Sequence, residues 1–494
     1  MNEIAEKQPL PINHIGRPNF AAEVGIDSQE RREAIAALVA LIEAESLDVI
    51  RVGFVDTNGI VRVRPVEARH FGQAATNGVP FTTALFAMDS ANFIVQDVFA
   101  SDGGFGRASM GGAGDMLAMP APDTFRILPW AERTGFILSD LYLKDGLRCP
   151  LDPRRLMQEA CASLANLGFA FVSGVEIEAH VFRITDPKAA LADCTQPATP
   201  PAVEALRHGF QHLSEAAADG LDIVLSRLRK AIRDVGLPLR TLEVEWGPGQ
   251  IEITLDPLVG VAAADAAVVL RSTVKQTCQR MGLLASFMAK PGLPNAFSSG
   301  WHLHQSLALH GERVNSFTDA YLPISETGLH YVGGLLRHAR AGAAFTNPTI
   351  NGYKRLNATP LSPKRACWAL DNKGAMLRVM GGTGDPTVHI ENRIGEPAAN
   401  PYLYMASQIV AGLDGIANKY DPGEPAANPY DHQGSDKLPM SLAEAVEATS
   451  ASMFFRDAFG NEYIDHFVAL KRHEIGRFEA YVTDWEHREY FELI

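Results

Sequence analysis

Four short segments of the chain alternate charged or metal-binding side chains with apolar ones. These segments are Glu176-Ile177-Glu178-Ala179-His180, Gln250-Ile251-Glu252-Ile253-Thr254, His302-Leu303-His304-Gln305-Ser306 and His389-Ile390-Glu391-Asn392-Arg393. Successive side chains of a β-strand point to opposite faces, so residues two apart share one face. The alternation therefore predicts four strands of a sheet with an apolar back and a charged front.

The hydrophobic pattern elsewhere divides the chain into three parts. Residues 1–27 form a polar, proline-containing arm, and an apolar-periodic run from Ser28 to Leu47 is typical of a helix. Strand-like runs at 49–54 and 60–64 flank Asn58-Gly59, a pair that favours a hairpin turn. Asp152-Pro153 begins another helix. We predict an α+β fold with an arm at 1–27, a small strand-rich domain at 28–142 and a larger domain at 143–494.

Composition limits the partners. The chain has 494 residues and a net charge of −14, which argues against nucleic acid or an anionic membrane as the main partner. No stretch approaches the roughly 18 apolar residues of a membrane helix. The five cysteines form no Cys-x-x-Cys pair, so we expect neither a disulfide framework nor a thiolate zinc site. A cytoplasmic protein with small ligands fits best.

The charged front indicates metal chemistry. A lone Glu-x-Glu pair is usually a solvated strand face, and a lone histidine is usually satisfied in a core. Here Glu176 and Glu178 are joined by a second acidic cluster around Gly247-Pro248-Gly249. Carboxylates that converge in this way suit hard cations such as magnesium or manganese.

Arginines accompany the carboxylates along the chain. Arg355, Arg378 and Arg393 carry guanidinium groups that can grip carboxylates or phosphates with two hydrogen bonds, although each could equally be a surface ion-pair partner. The sequence has no Gly-x-x-x-x-Gly-Lys-Ser/Thr loop and no strand followed by Gly-x-Gly-x-x-Gly. These features favour a site in which metals and arginines neutralise phosphoryl oxygens.

Taken in order, the motifs resemble those of the glutamine synthetase family, from about Val49 to the carboxyl end. The matching segments are Glu176-Ile177-Glu178, the stretch from Glu245 to Glu252, Gly300-Trp301-His302-Leu303-His304-Gln305-Ser306, Asn347 to Leu356, and Glu391-Asn392-Arg393 with Pro397 to Leu403. The resemblance implies a small β-grasp-like N-terminal domain and a larger catalytic domain with a curved antiparallel sheet and helices. It also implies a homo-oligomer, usually a dodecamer of two hexameric rings with active sites between subunits.

The resemblance also implies roles for individual residues. Those roles are one metal on Glu178, Glu245 and Glu252; a second metal on Glu176, His302 and Glu391; glutamate binding by Arg355, Arg393, Ser298 and Gly300; ATP binding by His304, Ser306, Lys373, Arg378 and His389; and catalysis by Arg378, Arg355 and Asp89. The cofactors would be ATP and Mg²⁺ or Mn²⁺. The family activates the γ-carboxylate of glutamate as an acyl phosphate, which an amine then attacks.

One departure from the family pattern concerns the amine. Leu361 stands where ammonia-using members carry a loop glutamate, and Asp89 corresponds to their other ammonium-site carboxylate. Leucine offers nothing to offset the desolvation of an ammonium ion, whereas an amine with an apolar body would find it favourable. We therefore expect Leu361 and Asp89 to form the pocket of an organic amine, as in the γ-glutamylamide synthetase branch.

The expected activity is ATP-dependent ligation of glutamate to an aromatic amine such as aniline, or to a small alkylamine. Phe297 and Ser298 replace an Asn-Gly pair that usually meets glutamate, yet Arg355 and Arg393 favour glutamate as the acid. Three alternatives stay open: glutamine synthesis from ammonia, ligation of a polyamine or ethanolamine, and a non-catalytic assembly.

Overall fold

The N-terminal part of the chain is built on a six-stranded sheet. The computed structural model describes residues 19–312, 314–358, 361–432 and 434–494. The strands are β1 Val49–Val55, β2 Val61–Glu67, β3 Val79–Thr82, β4 Asp115–Pro120, β5 Arg126–Ile127 and β6 Thr134–Leu143. Their order is β2-β1-β6-β4-β3, with β5 on β6. β1 and β2 form the predicted antiparallel hairpin, and Gly59 supplies the positive φ of its turn.

Three helices accompany this sheet: α1 Phe20–Glu23, α2 Gln29–Ala44 and α3 Phe71–Asn77. The predicted helix at Ser28 is confirmed as α2, because the Ser28 hydroxyl accepts the Arg31 N–H at 3.1 Å and caps it. Residues 1–18 of the predicted arm lie outside the described residues. The Phe20 ring is buried edge-on against Tyr142, so the described end of the arm packs on this sheet.

A second, ten-stranded sheet forms the centre of the larger part. Its strands are β7 Phe169–Ile184, β8 Val203–Ala205, β9 Leu239–Val244, β10 Gln250–Leu255, β11 Leu258–Val259, β12 Leu283–Ser286, β13 Trp301–Leu309, β14 Trp368–Leu370, β15 Leu377–Met380 and β16 His389–Asn392. Their order is β14-β15-β16-β13-β7-β10-β9, with β8, β11 and β12 on β7. All pairs are antiparallel except β14 with β15. The expected α+β class is confirmed.

Among the described residues, twelve further α-helices belong to this larger part of the chain. They are α4 Pro153–Asn166, α5 Glu215–Gly220, α6 Asp222–Asp234, α7 Val261–Arg280, α8 Glu326–Arg337, α9 Ala339–Thr346, α10 Ile350–Ala358, α11 Pro401–Asn418, α12 Leu442–Ser450, α13 Met453–Phe459, α14 Asn461–Glu479 and α15 Asp484–Tyr490. Asp152 caps α4 as predicted. No helix within the described residues combines the length and apolar character that crossing a membrane requires.

One apolar core joins the two sheets. Its buried side chains run from Ile42 through Trp301 to Val468, and they include the apolar residues of the four alternating segments. The β1–β2 turn is held on the larger part, because the Asn400 amide donates to the Asp56 and Thr57 carbonyls at 2.9 and 3.3 Å. The charged front of the second sheet therefore rests on a continuous, close-packed support.

Candidate active site

The four alternating segments lie on neighbouring strands of the second sheet, namely β10, β7, β13 and β16. Their register places charged residues opposite one another: Glu252 faces Glu178, His302 faces Glu176, and His304 faces Glu391. Paired residues of adjacent antiparallel strands have side chains on the same face. The strand predictions are confirmed, and the sheet collects their polar side chains on one surface.

Glu176 occupies the centre of this surface. Its carboxylate lies 2.6 Å from His302 Nδ1 and 3.0 Å from His304 Nε2. Burial opposes ionisation, but the two imidazole contacts outweigh it and lower the pKa of Glu176. Burial and the Arg393 guanidinium lower the pKa of His302, which favours its neutral, metal-binding form.

Two groups of side chains come close enough to share a cation. The ligand atoms of Glu176, Glu252 and His302 lie within 4.8 Å of one another, and so do those of Glu176, His304 and Glu391. Burial and the carboxylates of Glu176 and Glu178 raise the pKa of Glu252. Several carboxylates that hinder one another's ionisation are the donor set that a divalent cation stabilises. The residues present therefore fit hard metal ions.

Glu178 and Glu245 are further carboxylates of this surface, and we call Glu176, Glu178, Glu245, Glu252 and Glu391 together the acidic face. Burial and the Glu245 carboxylate raise the pKa of Glu178 to about 8. The Gln250 amide donates to Glu178 at 2.6 Å and to the Ser298 carbonyl at 3.1 Å. Glu245 lies between β9 and β10, where its carboxylate accepts the Trp246 N–H at 2.8 Å.

Three arginines adjoin the carboxylates. Arg393 forms an ion pair with Glu391, and Arg378 reaches the other Glu391 oxygen at 3.1 Å. Arg355 is buried and donates to the carbonyls of Arg393 and Ile394 at 3.1 and 3.0 Å. The three guanidinium groups place positive charge beside the acidic face, where an anionic substrate could bind.

Gly300 is required by close packing in the site. A Cβ at this position would lie 2.7 Å from Arg355 Nη2 and 3.0 Å from His302 Nε2. Next to it, Ser298 is nearly buried, and its hydroxyl oxygen has no hydrogen-bond partner among the described residues. A buried hydroxyl without a partner is a candidate for hydrogen bonding to a ligand.

The residues predicted to bind nucleotide lie along the β13–β16 side. The imidazoles of His304 and His389 approach to 3.0 Å, and Ser306 follows two residues later on β13. Lys373 is exposed between β14 and β15. His304 therefore contacts both the Glu176 carboxylate and His389, a residue expected to bind nucleotide. The sequence motif did not indicate the contact with Glu176.

Asp89 and Leu361 have other surroundings than the carboxylates described above. Within the chain, the buried Asp89 accepts an ion pair from Arg477 at 2.9 Å and lies 3.7 Å from His473. Leu361 is exposed, with 62% of its surface accessible. Neither side chain takes part in the hydrogen bonds and ion pairs of the acidic face described above.

Gln250, which had no predicted role, links Glu178 to the Ser298 segment. The signal was present, because Gln250 shares a strand face with Glu252 in the alternating pattern. Phe210 and Trp246 also had no predicted role, and their ring centroids lie 6.4 and 6.2 Å from that of Phe297. No periodic pattern connects those three residues.

Comparisons with known proteins place the chain in a family. Residues 150–490 match the family described as glutamine synthetase, catalytic domain. The chain is 39% identical to a γ-glutamylanilide synthase of Acinetobacter sp over 96% of its length and 99% of that protein. It is 31% identical to a glutamate–isopropylamine ligase of Pseudomonas sp, covering 94% of this chain and 100% of that one. A solved complex of GmaS with ADP superimposes with a TM-score of 0.76 at 27% identity, over 92% of this chain and 99% of that one.

The chain belongs to the glutamine synthetase family. The resemblance drawn from the ordered motifs is therefore confirmed, and the expected family fold is confirmed with it.

The raised pKa of Glu178 predicts that stabilisation of the protein by a metal ion depends on pH. A carboxyl with an ordinary pKa of 4.5 and a folded value of about 8 takes up a proton on folding, so metal-free stability falls as pH rises between these values. A cation binds the deprotonated form, so Mg²⁺ should raise the melting temperature more at pH 8 than at pH 6. The free energy of stabilisation by Mg²⁺ should change by about 1.4 kcal/mol per pH unit for each proton that the cation displaces. Thermal melts with EDTA or Mg²⁺ check this, and equal increments at both pH values would contradict it.

Proposed function

We propose that the chain is an ATP-dependent ligase that joins the γ-carboxylate of glutamate to an organic amine, with an arylamine such as aniline as the preferred class. The proposal rests on one surface where carboxylates, imidazoles and arginines lie close together. The chain that carries this surface is similar over nearly its full length to a γ-glutamylanilide synthase. In the reaction, ATP transfers its γ-phosphoryl group to the γ-carboxylate and leaves as ADP. The amine nitrogen then attacks the acyl carbon, phosphate leaves, and the nitrogen loses a proton.

We assign one Mg²⁺ or Mn²⁺ to Glu178, Glu245 and Glu252, and a second to Glu176, His302 and Glu391. When bound, these cations would neutralise charge on the phosphoryl oxygens. The second placement is supported by His302 Nδ1, which lies 2.6 Å from Glu176 and 3.5 Å from Glu391, and the first by the raised pKa values of Glu178 and Glu252. The acidic face has too few cationic neighbours to balance it without such ions.

The substrate carboxylates would bind at the arginine side. Arg355 and Arg393 lie next to each other, since Arg355 donates to the Arg393 carbonyl, and both guanidinium groups are buried. Gly300 allows the Arg355 guanidinium to approach the backbone closely, and the Ser298 hydroxyl can donate to glutamate. Buried guanidinium groups hold a carboxylate in a fixed orientation, which positions the γ-carboxylate for phosphoryl transfer.

The nucleotide would bind along β13 and β16. This assignment uses His304, Ser306, Lys373, Arg378 and His389. The solved GmaS complex holds ADP, and the two chains superimpose over most of their length. Arg378 would neutralise the transferring phosphoryl group, because it lies at the edge of the acidic face beside Glu391.

The choice of an organic amine rests on Leu361 and Asp89. An exposed leucine offers no charge to an ammonium ion but can contact an apolar amine. Asp89 is held by Arg477 away from the acidic face of its own chain, so we assign it to the site of a neighbouring subunit in a dodecamer. There it would orient the amine and accept its proton. A cytoplasmic location completes the proposal.

A direct assay tests the proposed function. Purified protein with ATP, Mg²⁺ and glutamate should release ADP when aniline is added, and isopropylamine should be a weaker substrate. An arylamine is neutral at physiological pH and needs little help before attack. Activity with ammonia alone would show a glutamine synthetase instead. Absence of ADP release with every amine and with ammonia would indicate a non-catalytic assembly.

A further inference from the structure

Four aromatic side chains from three separate segments meet at one edge of the acidic face. We call Phe210, His212, Trp246 and Phe297 the aromatic cluster. Trp246 lies 6.2 Å from Phe297 and 5.8 Å from His212 between ring centroids, and Phe210 lies 6.4 Å from Phe297. Trp246 and Phe210 are 47% and 42% exposed, so rings that could be core residues present a face to solvent.

The aromatic cluster borders the acidic face directly. Trp246 follows Glu245 and donates its backbone N–H to that carboxylate at 2.8 Å. His212 Nδ1 lies 3.4 Å from the same carboxylate. Phe297 precedes Ser298, whose carbonyl accepts the Gln250 amide. A ligand resting on these rings would therefore have its polar end beside Glu245.

The segment that carries Phe210 and His212 is fixed in place. Arg207 Nη2 lies within hydrogen-bond distance of the Glu245, Gly247 and Gln211 carbonyls, at 2.6, 3.0 and 2.7 Å. The Gln211 N–H also donates to the Trp246 carbonyl at 3.3 Å. Because one guanidinium ties the two loops together, the rings are organised before any ligand arrives, which reduces the entropy cost of binding.

We propose that the aromatic cluster is the surface that selects an arylamine, with the ring of the amine packed on Trp246 and Phe297 and its nitrogen directed toward the acidic face. This inference rests on the proposed function and adds the residues that set its amine specificity. Aromatic pairs prefer offset or edge-to-face contact and gain stability beyond the area they bury. Ammonia has no apolar body and gains nothing from these rings, whereas isopropylamine gains only part of the contact.

The test compares amines in the full-length protein. Trp246→Leu should lower kcat/KM for aniline about 10-fold, mostly through KM, because the ring contact is lost while some apolar volume stays. The kcat/KM for isopropylamine should change less than about 3-fold, and the KM for glutamate should stay constant. Phe297→Leu should shift the aniline to isopropylamine ratio in the same direction. Trp485→Leu is the matched control, since Trp485 is a half-exposed tryptophan on α15.

The outcomes distinguish failure of the proposed function from failure of the inference about the aromatic cluster. Wild-type protein that forms no anilide contradicts the proposed function itself. If the wild type is active but Trp246→Leu lowers both amines equally, or neither, only the aromatic cluster inference is overturned. Size-exclusion chromatography adds a second readout, because loss of the oligomer in Trp246→Leu and Phe297→Leu would mean that the rings pack against another subunit instead.

Discussion

Replacing Glu252 with glutamine is expected to lower kcat by at least about 1,000-fold, which is roughly 4 kcal/mol of transition-state stabilisation. Glu252 faces Glu178 across β10 and β7, and its ligand atom lies within 4.8 Å of those of Glu176 and His302. An amide has nearly the same shape but no negative charge, so a cation at this point would bind weakly. ADP release with saturating glutamate and amine measures the effect.

The same substitution should not destabilise the metal-free protein. Burial and neighbouring carboxylates raise the pKa of Glu252, so its ionised form is unfavourable in the folded state. The melting temperature of Glu252→Gln in EDTA should equal or exceed that of the wild type, while its gain from Mg²⁺ should shrink. Glu204→Gln provides the control, because Glu204 lies on β8 of the same sheet and pairs with Arg183 at the surface. Undiminished activity in Glu252→Gln would remove this residue from the metal site.

The strands of the acidic face could be predicted because each signal is local. Alternation of apolar and charged residues assigns a face to every side chain within one strand. The pattern does not say which strand lies next to which, since His302 and Glu176 are paired by long-range folding. The ordered family motifs supplied that missing information. Even so, they assigned His304 to the nucleotide only, whereas the register places its imidazole 3.0 Å from Glu176.

Features without local periodicity escaped sequence analysis. Phe20 lies in a stretch whose polar composition predicts an arm, yet it packs with Ala21 against Tyr142 and Met119 in a small apolar cluster. The aromatic cluster is a second case, because Phe210, Trp246 and Phe297 come from three connecting segments. Only the Arg207 hydrogen bonds and the folded sheet bring those segments together. The proposed amine side of the site therefore depended on the structure more than the proposed metal side did.

Replacing Arg378 with alanine is expected to lower kcat about 1,000-fold, with a much smaller change in KM for the amine. Arg378, on β15, lies opposite Glu391 and contacts its carboxylate at 3.1 Å. The Arg378 Nε also donates to the Asp371 carboxylate at 3.0 Å. This fixed guanidinium would meet charge that develops on the phosphoryl group, a role worth about 10³-fold or more in phosphoryl-transfer enzymes. Single-turnover ADP formation isolates the step.

The fold should tolerate this change, because Glu391 keeps its ion pair with Arg393 and lies 3.5 Å from His302. Arg378→Lys should recover part of the activity, since the charge stays while the two-pronged geometry is lost. Arg183→Ala is the control, as it removes an exposed arginine from the same sheet. A variant Arg378→Ala with normal kcat and a raised KM for ATP would show that this arginine binds nucleotide without acting on the transferring group.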